Sequence, residues 1–434
     1  MTDAAHDLTS HQAGQLARLL DVVLETNPFW QRRLAREGFG REQFAREPVQ
    51  TLEQLRTLPL LSKQELVEDV AAHPPYGSNL TYARSEYIRF HQTSGTTGQP
   101  QPWLDTAASW DWFCDCWRDI YLMCGVERSD VIAFPFSFGP FIGFWAAHDG
   151  AVRFGAMSLT LGGLSTEQRL REIVRHRATV LCCTPTYGLR MADVAAEQGI
   201  DLAASAVTTL IVAGEPGGNI PAVRNQLETA YQARVIDHWG MSDVGSLGVE
   251  PATDPGVLHL LTRHCIAEVI DPVTLLPIPH DGRLGELVIT NLGRLGMPVI
   301  RYRTGDLVQP DGVDEKTGCL RLTGGVHGRA DDMIVIRGNN VFPSSVEAIV
   351  REQRAISEFR IVVTTRRSMP HLRIEVEPHA DHDGAPCEAA VTAIETACID
   401  RLHFKAEVTT VSPGTLPRFE MKAKRLVRQD QTNE

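Results

Sequence analysis

Residues 93–100 read Thr-Ser-Gly-Thr-Thr-Gly-Gln-Pro, with two glycines and four hydroxyl side chains in one short loop after the β-like Tyr87-Ile-Arg-Phe90. This composition suits phosphate: Gly95 and Gly98 let backbone N–H groups close on an anion, and Ser94, Thr96 and Thr97 add hydroxyl donors at little steric cost. The spacing departs from the GxxxxGK[ST] loop of P-loop nucleoside triphosphatases, and Gln99 stands where a lysine is expected. The same residues also describe a flexible turn, so the loop acquires meaning only from its company along the chain.

The elements that must position such a loop are legible in outline. The chain has 434 residues, 43% of them hydrophobic and 22% charged, enough for two or three domains. A net charge of −12 argues against nucleic acid or an anionic membrane as partner, so a polyanionic nucleotide has to be held by a local device. The chain shows no run of eighteen apolar residues, and Met1-Thr-Asp-Ala-Ala-His-Asp lacks the pattern of a signal peptide, so a cytoplasmic location is expected. Nine cysteines without repeated spacing read as buried thiols rather than a disulfide framework.

Helical periodicity covers residues 8–38 and 51–70. Between about 106 and 290, helices at 106–123, 166–176, 187–198 and 220–232 alternate with apolar runs such as Val131–Phe134, Thr179–Cys183 and Thr209–Val212. That alternation predicts a mainly parallel α/β sheet, with ligand loops at the carboxyl ends of its strands. After roughly 260 short strands take over (Cys265–Ile270, Gly285–Thr290, Pro298–Arg303, Thr304–Leu307), predicting a β-rich subdomain. From about 333 the pattern restarts with Met333–Ile336, a helix from Ser344, an edge-like Phe359–Val363, Leu372–Val376 and a helix at 386–401. The expected fold is α/β: a large N-terminal domain over 1–328, a hinge at 329–332 and a small α+β domain over 333–434.

Five segments occur in a telling order: Thr93–Pro100, Ala213-Gly-Glu-Pro216, Asp237-His-Trp-Gly-Met-Ser-Asp243, Arg301-Tyr-Arg-Thr-Gly-Asp306, and Gly328-Arg-Ala-Asp-Asp332 running on to Arg337-Gly-Asn-Asn-Val-Phe-Pro343. With Pro417-Arg-Phe-Glu-Met-Lys-Ala-Lys-Arg425 they make the chain resemble the adenylate-forming superfamily of acyl-CoA synthetases, peptide-synthetase adenylation domains and luciferases. The resemblance is closest to its phenylacetate–CoA ligase branch and covers nearly the whole chain. It implies an AMP-forming ligase in which an aromatic carboxylate attacks the α-phosphate of ATP and a thiol, that of CoA, then displaces AMP. An amine or carrier-protein thiol as acceptor, and a catalytically decayed nucleotide-binding protein, stand as alternatives.

The resemblance also implies roles. Ser94, Gly95, Thr96, Thr97 and Gly98 would hold the outer phosphates; Glu215, Pro216, Asp237, Trp239, Gly240, Met241 and Ser242 would frame the nucleotide, Trp239 in the place of a stacking tyrosine. Asp306 would accept the ribose hydroxyls, Arg329 would contact ribose or phosphate, and Asp331 would be the hinge of a mobile lid. Lys422 would bridge carboxylate and α-phosphate as the catalytic cation, here preceded by Met421 instead of glycine. Asp243 would carry Mg²⁺ where the branch has glutamate. Phe136, Phe141 and Gly143, with Ala213, Gly214 and His238, would line the acyl pocket, and Lys63 would reach the carboxylate or a phosphate. Lys424 and Arg425 read as surface or CoA-phosphate contacts. Some relatives carry a structural zinc; His259, His264, Cys265 and Cys319 are present, but Glu250-Pro251 occupies a place where cysteine is common, so a closed zinc site is not expected. A homodimer is implied by family analogy.

Overall fold

Helix starts in the N-terminal part are written as capping boxes. Thr9 with Gln12, Thr51 with Gln54 and Ser62 with Glu65 each satisfy two orphan backbone donors, opening the helices Ser10–Thr26, Leu52–Arg56 and Lys63–Ala72. Asn27 ends the first helix and caps the next, Pro28–Arg36, which begins with the proline a first turn tolerates. The computed structural model describes residues 8–93, 100–279, 282–330, 332–336, 339–366, 369–379, 384–419 and 423–429.

Strands β1 (Tyr87–Gln92) and β2 (Pro102–Thr106) form an antiparallel hairpin. The remaining strands of the large body are β3 (Val131–Phe134), β4 (Met157–Thr160), β5 (Val180–Cys183), β6 (Thr209–Val212), β7 (Arg234–Met241), β8 (Gly245–Val249), β9 (Val257–Leu260), β10 (Cys265–Ile270), β11 (Gly285–Asn291), β12 (Tyr302–Val313) and β13 (Leu320–Arg329). All eleven belong to one sheet, ordered β10-β11-β12-β13-β9-β8-β7-β6-β5-β3-β4. The parallel half runs from β7 to β4 and is crossed over by the helices Trp145–Phe154, Thr166–Arg175, Pro185–Glu197 and Pro221–Tyr231. The antiparallel half is the expected β-rich part, and it continues the parallel sheet through β7, which is parallel to β6 and antiparallel to β8.

A second body follows. Strands β14 (Ile334–Ile336) and β15 (Asn339–Val341) pair with each other, and β16 (Ile356–Arg366), β17 (Met369–Pro378), β18 (Glu407–Thr410) and β19 (Leu426–Gln429) form a sheet ordered β18-β17-β16-β19. With the helices Pro343–Arg351 and Ala385–Leu402 this sheet encloses a core of its own around Val346, Phe359, Ile374 and Ile394.

Three local expectations are corrected. Residues 298–301 are not strand: Arg301 is at φ 49, and the strand begins at Tyr302. The Phe359–Val363 segment lies inside its sheet, because β19, drawn from the basic C-terminal run, adds alongside it in parallel. Arg425 is no surface contact, being only 8% exposed. All nine cysteines are free and buried. Among the described residues no helix is long and apolar enough to cross a membrane.

Gly150 sits where the helix Trp145–Phe154 meets the helix Ala107–Met123, and a Cβ there would lie 2.7 Å from Cβ of Trp117. Gly150→Ala is therefore expected to lose about 1–2 kcal/mol in urea unfolding, overpacking outweighing the roughly 1 kcal/mol helix-propensity gain. An unchanged or raised midpoint would show that the helices separate freely.

Candidate functional site

Strand β2 is buried along its whole length, and the charged residue within it, Asp105, is fully enclosed. Arg294, equally enclosed, answers it with two bonds, Nε to Oδ1 at 2.7 Å and Nη2 to Oδ2 at 2.8 Å. The guanidinium lies 4.7 Å from the Trp103 ring centroid and 5.0 Å from that of Phe113. Its remaining nitrogen, Nη1, donates to the carbonyl of Ser242 at 2.5 Å and to that of Asp243 at 3.3 Å. One planar cation thus ties the β1–β2 hairpin to the Ser242–Asp243 turn. At the hairpin tip, the Thr93 amide donates to the Gln101 carbonyl and the Gln101 amide to Oγ1 of Thr93, both at 3.0 Å. The loop residues Ser94, Gly95, Thr96, Thr97 and Gly98, with Gln99, lie outside the described residues, but both ends of their segment are held together.

The Asp243 side chain is buried, and its Oδ1 accepts from the Tyr302 hydroxyl at 3.0 Å. Burial, reinforced by this carboxylate, raises the Tyr302 pKa, so the phenol stays a donor. The N-terminal segment reaches the same place: the Leu61 amide donates to the Arg301 carbonyl and the Arg303 amide to the Leu61 carbonyl, both at 2.9 Å. Lys63, the first residue of its helix, follows two positions later, partly buried and without a hydrogen bond or ion pair among the described residues. Arg301 secures the junction, forking onto Glu268 at 3.0 Å on both oxygens and donating to the carbonyls of Arg56 and Leu58.

Strand alternation divides β7 between two sides. On one, Trp239 donates from Nε1 to Oδ2 of Asp306 at 2.8 Å, while Arg329 donates from Nη1 to Oδ1 at 3.1 Å. Trp239 is thus 8% exposed and bonded to the acid of the Thr-Gly-Asp motif. Asp237, two residues earlier, lies beneath Gly218, whose Cβ would sit 2.2 Å from Oδ1 of Asp237. Burial, then the nearby Glu250 charge, pushes its carboxyl up to about 7, against the pull of Arg224. Gly240 packs its backbone on Gly245, and Met241 and Ser242 are partly buried.

On the other side, His238 lies 4.6 Å from the Trp117 ring centroid. Its Nδ1 is 2.6 Å from the Gly248 carbonyl, so this nitrogen carries the proton, and burial holds the pKa down at about 4. The ring is neutral at pH 7. From here aromatic contacts run outward: Trp117 to Phe144 at 6.1 Å, Phe144 to Phe136 at 5.1 Å, Phe136 to Phe138 at 4.8 Å and Phe138 to Trp145 at 4.3 Å. Phe136 and His238 therefore belong to one aromatic cluster, whereas Phe141 is partly exposed with no ring contact to it among the described residues and Gly143, at φ 38, is exposed. Ala213 and Gly214 follow β6, whose last residue Val212 pairs with Asp237. Phe138 and Phe144 lie in the aromatic run Phe134–Trp145 that the resemblance offers as acid-binding, without being singled out there, whereas Trp117, Asp105 and Arg294 escape sequence reasoning altogether. A lone acid inside Trp103-Leu-Asp-Thr106 was the available signal.

Lys422 and Asp331 fall outside the described residues. Ala423, which follows Lys422, donates its amide to Oε2 of Glu215 at 2.6 Å, and Oε1 of the same carboxylate accepts from the Thr186 amide at 2.9 Å. Pro216 is exposed beside it. His259 and His264 each contact a carboxylate, Asp254 and Asp119, at 2.8 Å. Among the described residues no group of three His, Cys, Asp or Glu is placed to hold a metal ion.

The family profile "AMP-binding enzyme" matches residues 56–294, and "AMP-binding enzyme C-terminal domain" matches residues 338–429. Phenylacetate-coenzyme A ligase from Pseudomonas putida is 28% identical over 97% of this chain and 94% of its own length. The crystal structure of 2-hydroxyisobutyryl-CoA ligase in the postadenylation state with 2-HIB-AMP superposes with a TM-score of 0.88 at 28% identity, over 96% of this chain and 88% of that one. The same ligase with 2-HIB-AMP and CoA in the thioesterification state gives 0.70 at 28% identity, over 96% and 89%.

Arg294→Met is expected to lower stability by about 3–5 kcal/mol, since it strands Asp105 without a partner, and adding Asp105→Leu is expected to recover most of that loss. Urea midpoints of the single and double variants check this; an additive double loss would contradict it. Asp237 sets a pH dependence. Its folded pKa of about 7 stands above the unsupported 3.8, so between these values the folded chain holds the extra proton and stability falls as pH rises. Asp237→Asn is expected to flatten that fall, and parallel stability curves from pH 4.5 to 8 would contradict the assignment.

Proposed function

We propose a two-step reaction for this chain, which belongs to the AMP-binding enzyme family: it converts an aromatic carboxylic acid to its acyl-adenylate with ATP, then transfers the acyl group to coenzyme A. The protein is an AMP-forming ligase. The observation that carries the finer reading is the division at β7, with the Trp239–Asp306–Arg329 group on one side and the aromatic cluster around His238 and Phe136 on the other.

In the first step a carboxylate oxygen bonds to the α-phosphorus and the bond to the leaving pyrophosphate breaks. Two anions meet, so donors and cations have to converge on them. The Ser94–Gly98 loop holds the outer phosphates, Lys422 supplies the point charge at the reacting oxygens, and Lys63 serves the carboxylate or a phosphate from the N-terminal side. Asp306 receives the ribose hydroxyls: Trp239 and Arg329 fix the plane of its carboxylate, each oxygen of which has two lone pairs. Glu215, Pro216, Asp237, Gly240, Met241 and Ser242 frame the base. Asp243 is the residue that would hold a Mg²⁺, an ion suited to carboxylate oxygen, and the ion would supply charge neutralisation at the phosphates. In the second step the thiol sulfur bonds to the acyl carbon, the bond to the AMP oxygen breaks, and the thiol proton passes to solvent.

A flat ring is favoured beside this cluster, because Phe136 and Phe138 are its partly exposed members and the adjoining His238 is neutral. Acid-dependent pyrophosphate release across a panel of aryl and aliphatic acids, with and without CoA and with products identified by mass spectrometry, tests the reading. Aryl acids are expected to lead and acyl-CoA to form, and Lys422→Ala is expected to slow pyrophosphate release by roughly 10²–10³. Preference for aliphatic acids removes the substrate assignment; release without acyl-CoA moves the acceptor to an amine or carrier thiol; ATP binding without release leaves a nucleotide binder.

A further inference from the structure

Arg425 is a buried cation between the two bodies. Within the small body it forks onto Glu358, Nε to Oε1 at 2.7 Å and Nη2 to Oε2 at 3.1 Å, and reaches Oε1 of Glu347 at 3.1 Å. Toward the large body it donates from both Nη1 and Nη2 to one hydroxyl, Oγ1 of Thr186, at 3.2 Å. Thr186 lies in the first turn of the helix Pro185–Glu197, and its amide is the one that donates to Glu215. The second oxygen of Glu215 takes the Ala423 amide. Segment 423–425 is therefore pinned to the large body at both ends, and the two pins, Glu215 and Thr186, are bonded to each other at 2.9 Å.

We propose that Thr186, Glu215 and Arg425 form a latch that sets the segment behind Lys422 for adenylation and releases it for the thioester step. The inference rests on the two-step reaction proposed above. Its chemistry suits a contact that must open. When the bodies part, Arg425 keeps Glu358 and Glu347, which travel with it, and gives up the Thr186 hydroxyl, while Glu215 gives up the Ala423 amide and keeps that of Thr186. The Arg425 cation is not stranded, because its two bonded carboxylates stay with it, whereas a cation whose bonded carboxylates lay on the other body would oppose opening by the full cost of an unpaired buried ion. The better superposition on the postadenylation than on the thioesterification state of 2-hydroxyisobutyryl-CoA ligase is the arrangement in which a closed latch is expected. All three are positioning residues in this role.

Thr186→Val keeps the side-chain shape and removes the acceptor, and Thr186→Ser restores it. With phenylacetate as probe, Thr186→Val is expected to slow acid-dependent pyrophosphate release about tenfold. Formation of phenylacetyl-CoA from synthetic phenylacetyl-adenylate and CoA is expected to stay level or quicken. Thr186→Ser is expected to behave as the parent. Equal losses in both half-reactions, or none in either, overturn the latch. Hydrogen exchange of residues 423–429 reads the contact without turnover: faster exchange in Thr186→Val supports it, and unchanged exchange overturns it even in a chain that releases no pyrophosphate. Absence of release by the parent with every acid defeats the proposed function and leaves the exchange result to decide the latch.

Discussion

The ion pair between Asp105 and Arg294 is the constraint on which the site depends. Neither side chain has solvent access, so each makes the other tolerable, and the pair persists only because its geometry is bidentate and its remaining donor is used. Trp103 and Phe113 flank the guanidinium, a surrounding that a planar, weakly hydrated cation accepts and an ammonium does not. Because Arg294 also donates to the Ser242 and Asp243 carbonyls, the hairpin carrying the phosphate-type loop and the turn carrying the acid cannot move independently. Two motifs more than a hundred residues apart are thereby held to one relative position.

Strand β7 supplies the second constraint. It is the single strand at which the sheet changes from parallel to antiparallel, so its two faces meet different architectures. Toward β12 and β13 it presents Trp239 to Asp306, and toward the helix Ala107–Met123 it presents His238 to Trp117. Alternation along one strand separates a polar, hydrogen-bonded group from an aromatic cluster, while keeping their nearest residues adjacent in the chain.

Most elements were legible in the sequence because their signals are local. Capping boxes, apolar runs and helical periodicity place the α/β order, and the parallel strands Val131–Phe134 and Thr209–Val212 begin and end where the reading set them. What escaped was non-local. Pro298–Arg303 has the composition of a strand, but Arg301 adopts a left-handed conformation so that its guanidinium can reach Glu268 and the carbonyls behind Leu55. Arg425 read as one cation in a basic run, and only the fold brings Glu347, Glu358 and Thr186 around it. The motif residues Asp243, Asp306 and Arg329 were legible as types, but their partners Tyr302 and Trp239 follow from pairing that no spacing records.

The N-terminal segment is more than packing around this site. Leu61 bridges in parallel beside Tyr302, the residue whose hydroxyl holds Asp243, and the bridge is enforced from behind by Arg301 gripping the Arg56 and Leu58 carbonyls. Lys63 begins its helix two residues later, its start fixed by the Ser62–Glu65 capping box. Its place is thus determined by the same strand that positions Asp243 and Asp306, although it lies some 180 residues before the first of them. The position of Lys63 is thereby fixed within the large body, through the Leu61 pairing and the Ser62–Glu65 box, and owes nothing to the small one.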